Sequence, residues 1–249
     1  RSRHIDTSGH SSDATGRGRP RSRDFGTVLS LFMTQITPSS ASPTRTGTRG
    51  QIIAWGLWDW GSAGFNTVII TFVFSVYLTS SVGKGLCTPD QLTAEGSCPT
   101  ASSLLGWAIG IAGFFIAVLA PVTGQRADAG GHRRLSLGIF TFVSVGTMLA
   151  LYFVKNETSY LWWGLLMLGL GSITMEFAAV SYNAMLRQIS TPANIGRVSG
   201  FGWSMGYFGG IFLLLIAYVG FISSDDDPAT AGLLGISKDG GLNIRLVAV

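Results

Sequence analysis

The sequence predicts an all-α membrane protein, and two properties of the chain support that fold class. Of its 249 residues, 47% are hydrophobic and only 12% are charged, whereas a soluble domain carries about 25% charged residues. Five apolar runs are each long enough for a transmembrane helix, which needs about 20 residues. The net charge of +4 comes from a tail and short loops, so it indicates orientation in a membrane and argues against a nucleic-acid-binding surface.

The five apolar runs define spans 1 to 5 in chain order. We predict them at about residues 52–79, 104–123, 135–154, 160–186 and 198–222. A sixth run begins at Asn243 and has seven residues up to Val249, which is too short to cross a bilayer. Because the chain also begins with Arg1 rather than a methionine, we expect it to be a fragment of a longer membrane protein.

Residues 1–49 differ in composition from the rest of the chain. They are rich in Arg, Ser, Thr, Gly and Pro and include eight Arg, so they cannot bury enough apolar surface to fold alone. We expect a disordered basic cytoplasmic tail. Two interpretations of it stay open: a tail that touches anionic lipid, or residues upstream of a true translation start at Met33.

The basic residues of the loops predict the orientation of the spans. The loops after spans 2 and 4 carry Arg126, Arg133, Arg134, Arg187 and Arg197. The loops on the opposite side hold only three Lys among several acidic residues. Since Lys and Arg concentrate on the cytoplasmic side of membrane proteins, we expect a cytoplasmic N-terminus in a multi-pass protein of the bacterial plasma membrane.

The two cysteines, Cys87 and Cys98, both lie in the loop after span 1. Their spacing permits a disulfide in an oxidising compartment, and two free thiols are the equally open alternative. The sequence has no Cys-x-x-Cys pair, and its three His all lie outside the spans. We therefore expect no metal site and no cofactor.

Spans 1 and 4 each carry polar residues along one helical face, at spacings of three or four residues. These residues are Asp59, Ser62 and Asn66 in span 1, and Ser172, Glu176 and Asn183 in span 4. A carboxyl group at the centre of a bilayer costs about 2.5–3.5 kcal/mol, and such groups mark solute and proton pathways. Both acids lie roughly 10–15 Å from the cytoplasmic surface at 1.5 Å per residue, so we predict a shared cavity.

A structural role for each acid is the alternative. Asp59 could accept hydrogen bonds from a neighbouring Trp, Ser or Asn, and Glu176 could pair with an Arg near a helix end. However, no Lys or Arg occurs within the five spans, which favours proton handling over a static ion pair. We therefore interpret the two polar faces as a substrate or proton pathway.

Glycine series in two spans predict close helix packing, since small residues at this spacing let backbones approach. The glycines are Gly202, Gly206 and Gly210 in span 5, and Gly106, Gly110 and Gly113 in span 2.

Span 5 also fits G-x-S-x-G around Ser204. That nucleophile motif needs a strand–turn–helix context and a His base; because neither is present in the spans, we do not expect an enzyme.

A pattern of glycine and charged residues follows span 2. Its members are Gly124, Asp128, Gly131 and Arg133, while Ala129 and His132 stand where such a pattern prefers a cation. The pattern resembles the signature between helices two and three of the major facilitator superfamily. The resemblance implies that the four matching residues form a gating loop.

Three further segments, at residues 54–65, 175–186 and 196–210, are similar to the first, fourth and fifth helices of one branch of that superfamily, the vacuole-effluxer-like (UMF-type) branch. The resemblance implies the N-terminal six-helix bundle of a twelve-helix major facilitator fold, truncated at the start of helix six. Helices one and four line the central cavity in that superfamily, which agrees with the polar faces of spans 1 and 4.

The function that the resemblance implies is secondary active transport of a small organic solute, an amino acid or similar, by alternating access. The expected partners are membrane lipid, the solute and the missing C-terminal half of the same polypeptide, with no nucleic acid. Proton coupling is a hypothesis that the two carboxyl groups motivate. A multidrug-type exporter, and a non-transporting scaffold or sensor with a transporter-like fold, are the alternatives.

Overall fold

The computed structural model describes residues 47–94, 96–129, 131–223 and 229–249, without the side chains of residues 127–129. The expected tail up to residue 46, the start at Met33 and the acidic residues 225–227 lie outside the described residues. Five described helices are long and apolar enough to cross a membrane: Arg49–Ser80, Pro99–Arg126, Arg133–Leu151, Thr158–Ile189 and Ile195–Ile222. The predicted all-α membrane fold is confirmed, and spans 1 to 5 denote these segments from here on.

Span 1 begins earlier than predicted, at Arg49, because a capping box precedes it. The backbone N–H of Gln51 donates to the Thr48 hydroxyl, and the Thr48 N–H donates to the Gln51 side chain at 2.9 Å. Such a box satisfies backbone N–H groups that a helix otherwise leaves free. The span then consists of the α-helix Arg49–Gly64, the π-helix Phe65–Phe72 and the α-helix Phe74–Ser80.

The loop between spans 1 and 2 contains a disulfide between Cys87 and Cys98. The 3₁₀ turns Val82–Leu86 and Pro89–Gln91 shape this loop. Cys98 is fully buried and directly precedes the first residue of span 2. Of the two alternatives for the cysteines, the structure therefore has the disulfide, and the bond ties one end of span 2 to the loop.

Span 2 ends later than predicted, because its helix runs over Pro99–Ala129. Gly124 and Asp128, which we expected in a loop, therefore lie in its last turns. Most residues from Gln125 to Ala129 are Gln, Arg or Ala, which form helices readily, so the helix continues past the end of the apolar run. The chain turns only at Gly131, whose φ of +64° is in the left-handed region that favours glycine. Span 3 follows as Arg133–Leu151.

The remaining elements follow in chain order. They are the 3₁₀ turn Thr158–Tyr160, the helix Leu161–Ile189, the helix Ile195–Ala217, the π-helix Tyr218–Ile222, the antiparallel strands Thr230–Ala231 and Ile236–Ser237, the 3₁₀ turn Asp239–Gly241 and the helix Leu242–Val247. The last helix lies at the predicted sixth run. The strand pair is not predicted, because two residues are too few to show an alternating pattern.

Span 4 lies at the centre of the described bundle. It packs against spans 2 and 3, while span 1 packs along span 5. The largest fully buried side chains include Phe65, Phe74, Leu78, Leu151 and Leu168, and a second cluster joins Trp55, Tyr182, Ile189 and Val198. Span 4 buries 56% of its most apolar stretch and span 2 only 6%, so span 2 is the peripheral helix of the two.

Candidate functional site

A cavity of about 440 Å³ is formed by residues of spans 1, 4 and 5. Its lining consists of Trp55, Asp59, Ser62, Ala63, Asn66 and Thr67 from span 1, Ala179, Tyr182, Asn183 and Leu186 from span 4, and Ser199, Trp203, Gly206, Tyr207, Gly210 and Ile211 from span 5. Ligand sites in proteins combine apolar and aromatic walls with a few convergent polar groups. The composition of this lining matches that description.

Four of the six residues predicted as a substrate or proton pathway line this cavity: Asp59, Ser62, Asn66 and Asn183. Ser172 and Glu176 lie outside the lining. Seven residues of a helix rise about 10 Å, so one face of span 4 can place Asn183 in the cavity and leave Glu176, an exposed side chain, beyond it. In the structure the two acids therefore do not share the cavity.

Ser172 makes its hydrogen bond within its own helix. Its hydroxyl donates to the Leu168 carbonyl at 2.9 Å. Ser62 does the same one turn from Asp59, donating to the Asp59 carbonyl at 3.1 Å. Both serine hydroxyls thus donate to backbone carbonyl oxygens of their own helices. Only Ser62 of the two lines the cavity.

The Asp59 carboxylate rests on a glycine of span 5. It is half-buried, and a Cβ added at Gly206 would lie 2.5 Å from its Oδ2 and 3.2 Å from its Cγ. Any larger residue at Gly206 would therefore displace the carboxylate. No Lys or Arg is present among the lining residues that the structure describes, so the acid faces polar and aromatic groups rather than a cation.

The predicted packing glycines of span 5 all face span 1. A Cβ at Gly202 would collide with the Trp55 ring and lie 2.9 Å from the Tyr182 hydroxyl oxygen, and one at Gly210 would lie 2.6 Å from Oγ1 of Thr67. Gly209, beside this row, directly faces the backbone carbonyl of Trp60. The absence of side chains at these positions lets span 1 approach span 5 closely and brings Asp59 against it.

Tyr182 is a site residue that the sequence analysis does not identify. Its ring is stacked between Trp55, at a centroid distance of 4.3 Å, and Trp58, at 4.6 Å. Nε1 of Trp55 donates to the Tyr182 carbonyl at 3.1 Å, and Nε1 of Trp58 donates to the Thr141 hydroxyl at 3.0 Å. The stack joins spans 1, 3 and 4 and fixes the tyrosine ring at one end of the cavity.

Trp203 and Tyr207 form an aromatic wall that the sequence analysis also misses. Both side chains are largely exposed, at 65% and 66%, and their ring centroids lie 6.0 Å apart. They directly follow Gly202 and Gly206 in the chain, so they lie beside the glycine row on the same helix. That four-residue aromatic spacing next to the glycines is the signal that could have identified them.

The predicted gating residues lie near one end of span 4. Nη1 of Arg133 donates to the Ala184 carbonyl at 3.0 Å, and a Cβ at Gly124 would lie 3.2 Å from a methyl group of Val180. Spans 2 and 3 thus contact the segment of span 4 that carries Tyr182. The side chain of Asp128 lies outside the described residues, and Gly131 forms the turn.

Two features bear on the chemistry predicted from the sequence, the serine of the G-x-S-x-G pattern and the absence of a metal cluster among the described residues. The Ser204 hydroxyl donates to the Gly200 carbonyl at 2.8 Å within its helix, as expected for a serine in a helix interior. No group of three His, Cys, Asp or Glu that could hold a metal ion occurs in the part of the chain that the structure describes.

Comparison with known proteins adds one relative. The chain is 28% identical over 181 residues to the uncharacterized MFS-type transporter YxiO of Bacillus subtilis (strain 168), a match that covers 71% of this chain and 39% of that protein. The similarity supports membership of the major facilitator superfamily. The chain thus spans about two fifths of the length of this relative. No family model matches the chain, and no solved structure matches it significantly.

Proposed function

We propose that the protein is a non-enzymatic secondary active transporter of the vacuole-effluxer-like branch of the major facilitator superfamily. In this proposal the chain supplies the N-terminal half, and its cavity is one wall of the solute site. The supporting observation is the cavity of about 440 Å³ between spans 1, 4 and 5, with Asp59 in its lining. The similarity to an MFS-type transporter points to the same class of protein.

The proposed solute is small and organic, an amino acid or a similar molecule. Secondary transporters of this class bind their solutes near the bilayer midplane, between two halves that rock around the site. A cavity of about 440 Å³ has the size of known small-molecule sites, which start at about 300 Å³. The remaining helices of the polypeptide would supply the opposite wall.

We infer that Asp59 also carries the coupling proton. A carboxyl group in a membrane-embedded cavity with no cation beside it can bind a proton in one conformation and release it in another. Glu176 remains a second candidate for this role. It lies outside the cavity lining, so its proton would be exchanged at another surface of span 4.

Flux measurements on the full-length protein in proteoliposomes test this function. Solute accumulation should depend on an imposed pH gradient, and Asp59→Asn should lower the pH-driven flux at least tenfold. Glu157→Gln is the matched control, because Glu157 is an exposed acid in the loop before span 4 and its change removes the same charge. Equal flux in the Asp59 variant and the control would contradict the proposed role of the cavity.

Glu176→Gln separates the two acids in the same assay. If Glu176 carries the coupling proton, this variant should lose the response to the pH gradient while keeping exchange of solute across the membrane. Full pH-driven transport by Glu176→Gln would leave Asp59 as the coupling residue of the pair.

The aromatic wall favours one alternative, a multidrug-type exporter. Trp203 and Tyr207 expose large ring surfaces in the cavity, which suit bulky apolar compounds. Competition assays distinguish the two functions. A multidrug exporter should be inhibited by many unrelated apolar compounds, whereas a transporter of small solutes should respond to a narrow chemical series.

We further propose that the N-terminus is cytoplasmic and that the membrane is the bacterial plasma membrane. The Cys87–Cys98 disulfide lies in a loop that this orientation places outside the cell, where disulfides persist. Thiol labelling of intact cells tests the orientation. A cysteine introduced as Lys84→Cys should react with an impermeant maleimide, and one introduced as Arg187→Cys should react only after the cells are opened.

A further inference from the structure

One buried polar atom of the cavity has no hydrogen-bond partner among the described residues, the hydroxyl oxygen of Tyr182. The Tyr182 side chain is only 5% exposed and belongs to the cavity lining. Its ring is held between two Trp rings, so the hydroxyl cannot swing away to another partner. Buried polar groups in proteins are nearly always hydrogen-bonded, and a bound molecule in the cavity would satisfy this one.

The Asp59 carboxylate and that hydroxyl face neighbouring turns of span 5. The Tyr182 hydroxyl faces Gly202, and Oδ2 of Asp59 faces Gly206 on the same helix. Positions four residues apart on a helix are separated by roughly 6 Å. An ammonium group with hydrogen bonds of about 2.9 Å reaches two oxygens that lie up to about 5 Å apart, so the proposed binding draws the rotatable Asp59 carboxylate slightly towards Tyr182.

The charge and the walls of the cavity favour a cation. Asp59 is the one residue with a formal charge among the described lining residues, so this wall of the site has no basic side chain to bind a carboxylate or phosphate. The exposed rings of Trp203 and Tyr207 form the adjacent wall. Aromatic faces attract ammonium groups and pack against apolar substituents.

We propose that the cavity binds a solute with a primary ammonium group and an apolar body, and no carboxylate. This inference rests on the proposed function and, within its class of an amino acid or a similar molecule, selects an amine over an amino acid. The nitrogen lies between Asp59 and Tyr182 and donates to the carboxylate and to the hydroxyl oxygen. The apolar part packs against Trp203 and Tyr207, and Gly206 leaves the carboxylate the space that it needs.

Isothermal titration calorimetry on the purified protein in lipid nanodiscs tests the proposal with four probes of one shape. The probes are 2-phenylethylammonium, the neutral 2-phenylethanol, the anion phenylacetate and the zwitterion phenylalanine. The ammonium probe should bind at least tenfold more tightly than each of the other three. Asp59→Asn should weaken its binding at least tenfold, and Tyr182→Phe about fivefold.

Two control variants remove the same groups away from the cavity. Glu157→Gln and Tyr218→Phe alter exposed side chains and should leave the affinity unchanged. Equal binding of the alcohol and the amine, tighter binding of phenylalanine, or an unchanged affinity in Asp59→Asn would each overturn the assignment. None of these results bears on whether the protein carries out proton-driven flux. The flux assay therefore distinguishes failure of this inference, in which flux persists, from failure of the proposed function, in which it does not.

Discussion

Spans 2 and 5 carry the same kind of glycine series and use it in opposite ways. Every glycine of the row Gly202, Gly206 and Gly210 faces a side chain of span 1 or span 4, at distances that exclude a Cβ. A Cβ at Gly106, Gly110 or Gly113 of span 2 would meet no described atom within 4 Å. Regular glycine spacing therefore predicts that a helix can pack closely. Whether it does so depends on whether a neighbouring helix lies against the glycines.

The difference has a consequence for the site. In span 5 the missing side chains create the space that the Asp59 carboxylate and the Trp55 ring occupy, and Gly206 and Gly210 belong to the cavity lining. In span 2 they leave a smooth surface beside exposed apolar residues such as Trp107 and Phe114. Four variants, ordered from the largest expected effect to the smallest, test this contrast.

Gly209→Ala should destabilise the protein most. The new Cβ would collide with the Trp60 carbonyl, and a backbone atom cannot rotate away, so we expect a loss of about 3 kcal/mol. The free energy of unfolding, measured by far-UV circular dichroism during titration with dodecyl sulfate, checks this value. Gly200→Ala is the control, because its Cβ would meet nothing within 4 Å on the same helix.

Removal of the disulfide should act on span 2 and spare span 5. The Cys87–Cys98 bond closes a loop with a sequence separation of 11, so the double change to Ser should lower stability by about 2–3 kcal/mol. Hydrogen exchange should become faster at the start of span 2. Faster exchange throughout span 5 would contradict the expectation that the bond stabilises span 2 alone.

Gly206→Ala should destabilise the protein less than Gly209→Ala, by about 1 kcal/mol, because the carboxylate that it meets can rotate. Its main effect should be on the site, since Asp59 would leave the position that Gly206 allows. Binding of 2-phenylethylammonium should weaken at least fivefold while the circular dichroism spectrum stays unchanged. An unaltered affinity would show that the contact between Asp59 and span 5 does not matter for the site.

Gly110→Ala in span 2 should have the smallest effect. Because its Cβ would point into open space and alanine favours helix formation, stability should stay the same or rise by up to about 1 kcal/mol. The same unfolding titration measures it. A clear loss of stability would mean that this face of span 2 packs against a surface outside the described residues.

The properties that follow from a single helix could be predicted from the sequence. Five spans follow from the lengths of apolar runs, and helical periodicity places Asp59, Ser62 and Asn66 on one face, which the cavity shares. These predictions need only local geometry. The later end of span 2 could not be predicted, because the apolar run ends at the membrane surface, whereas a helix ends where the backbone turns, here at Gly131.

The properties that depend on contacts between helices could not be predicted. Tyr182 looks like any tyrosine in an apolar helix until Trp55, 127 residues away, stacks on it and donates to its carbonyl. Likewise, the helical face of Glu176 was identified, but the point along span 4 at which the cavity ends depends on where spans 1 and 5 cross it. The depth of a residue, calculated from the rise per residue of a single helix, does not show where neighbouring helices cross it.

The π-helical segment Phe65–Phe72 is a joint at which the two α-helical parts of span 1 can rotate relative to each other around the helix axis. Hydrogen bonds from residue i to i+5 accommodate an extra residue, and one residue corresponds to a rotation of about 100° around a helix axis. Asp59, before the joint, faces the cavity, while Phe74 and Leu78, after it, are anchored in the core. A change of this segment to α-helical winding would therefore rotate Asp59 around the axis of span 1, while Phe74 and Leu78 keep their places in the core.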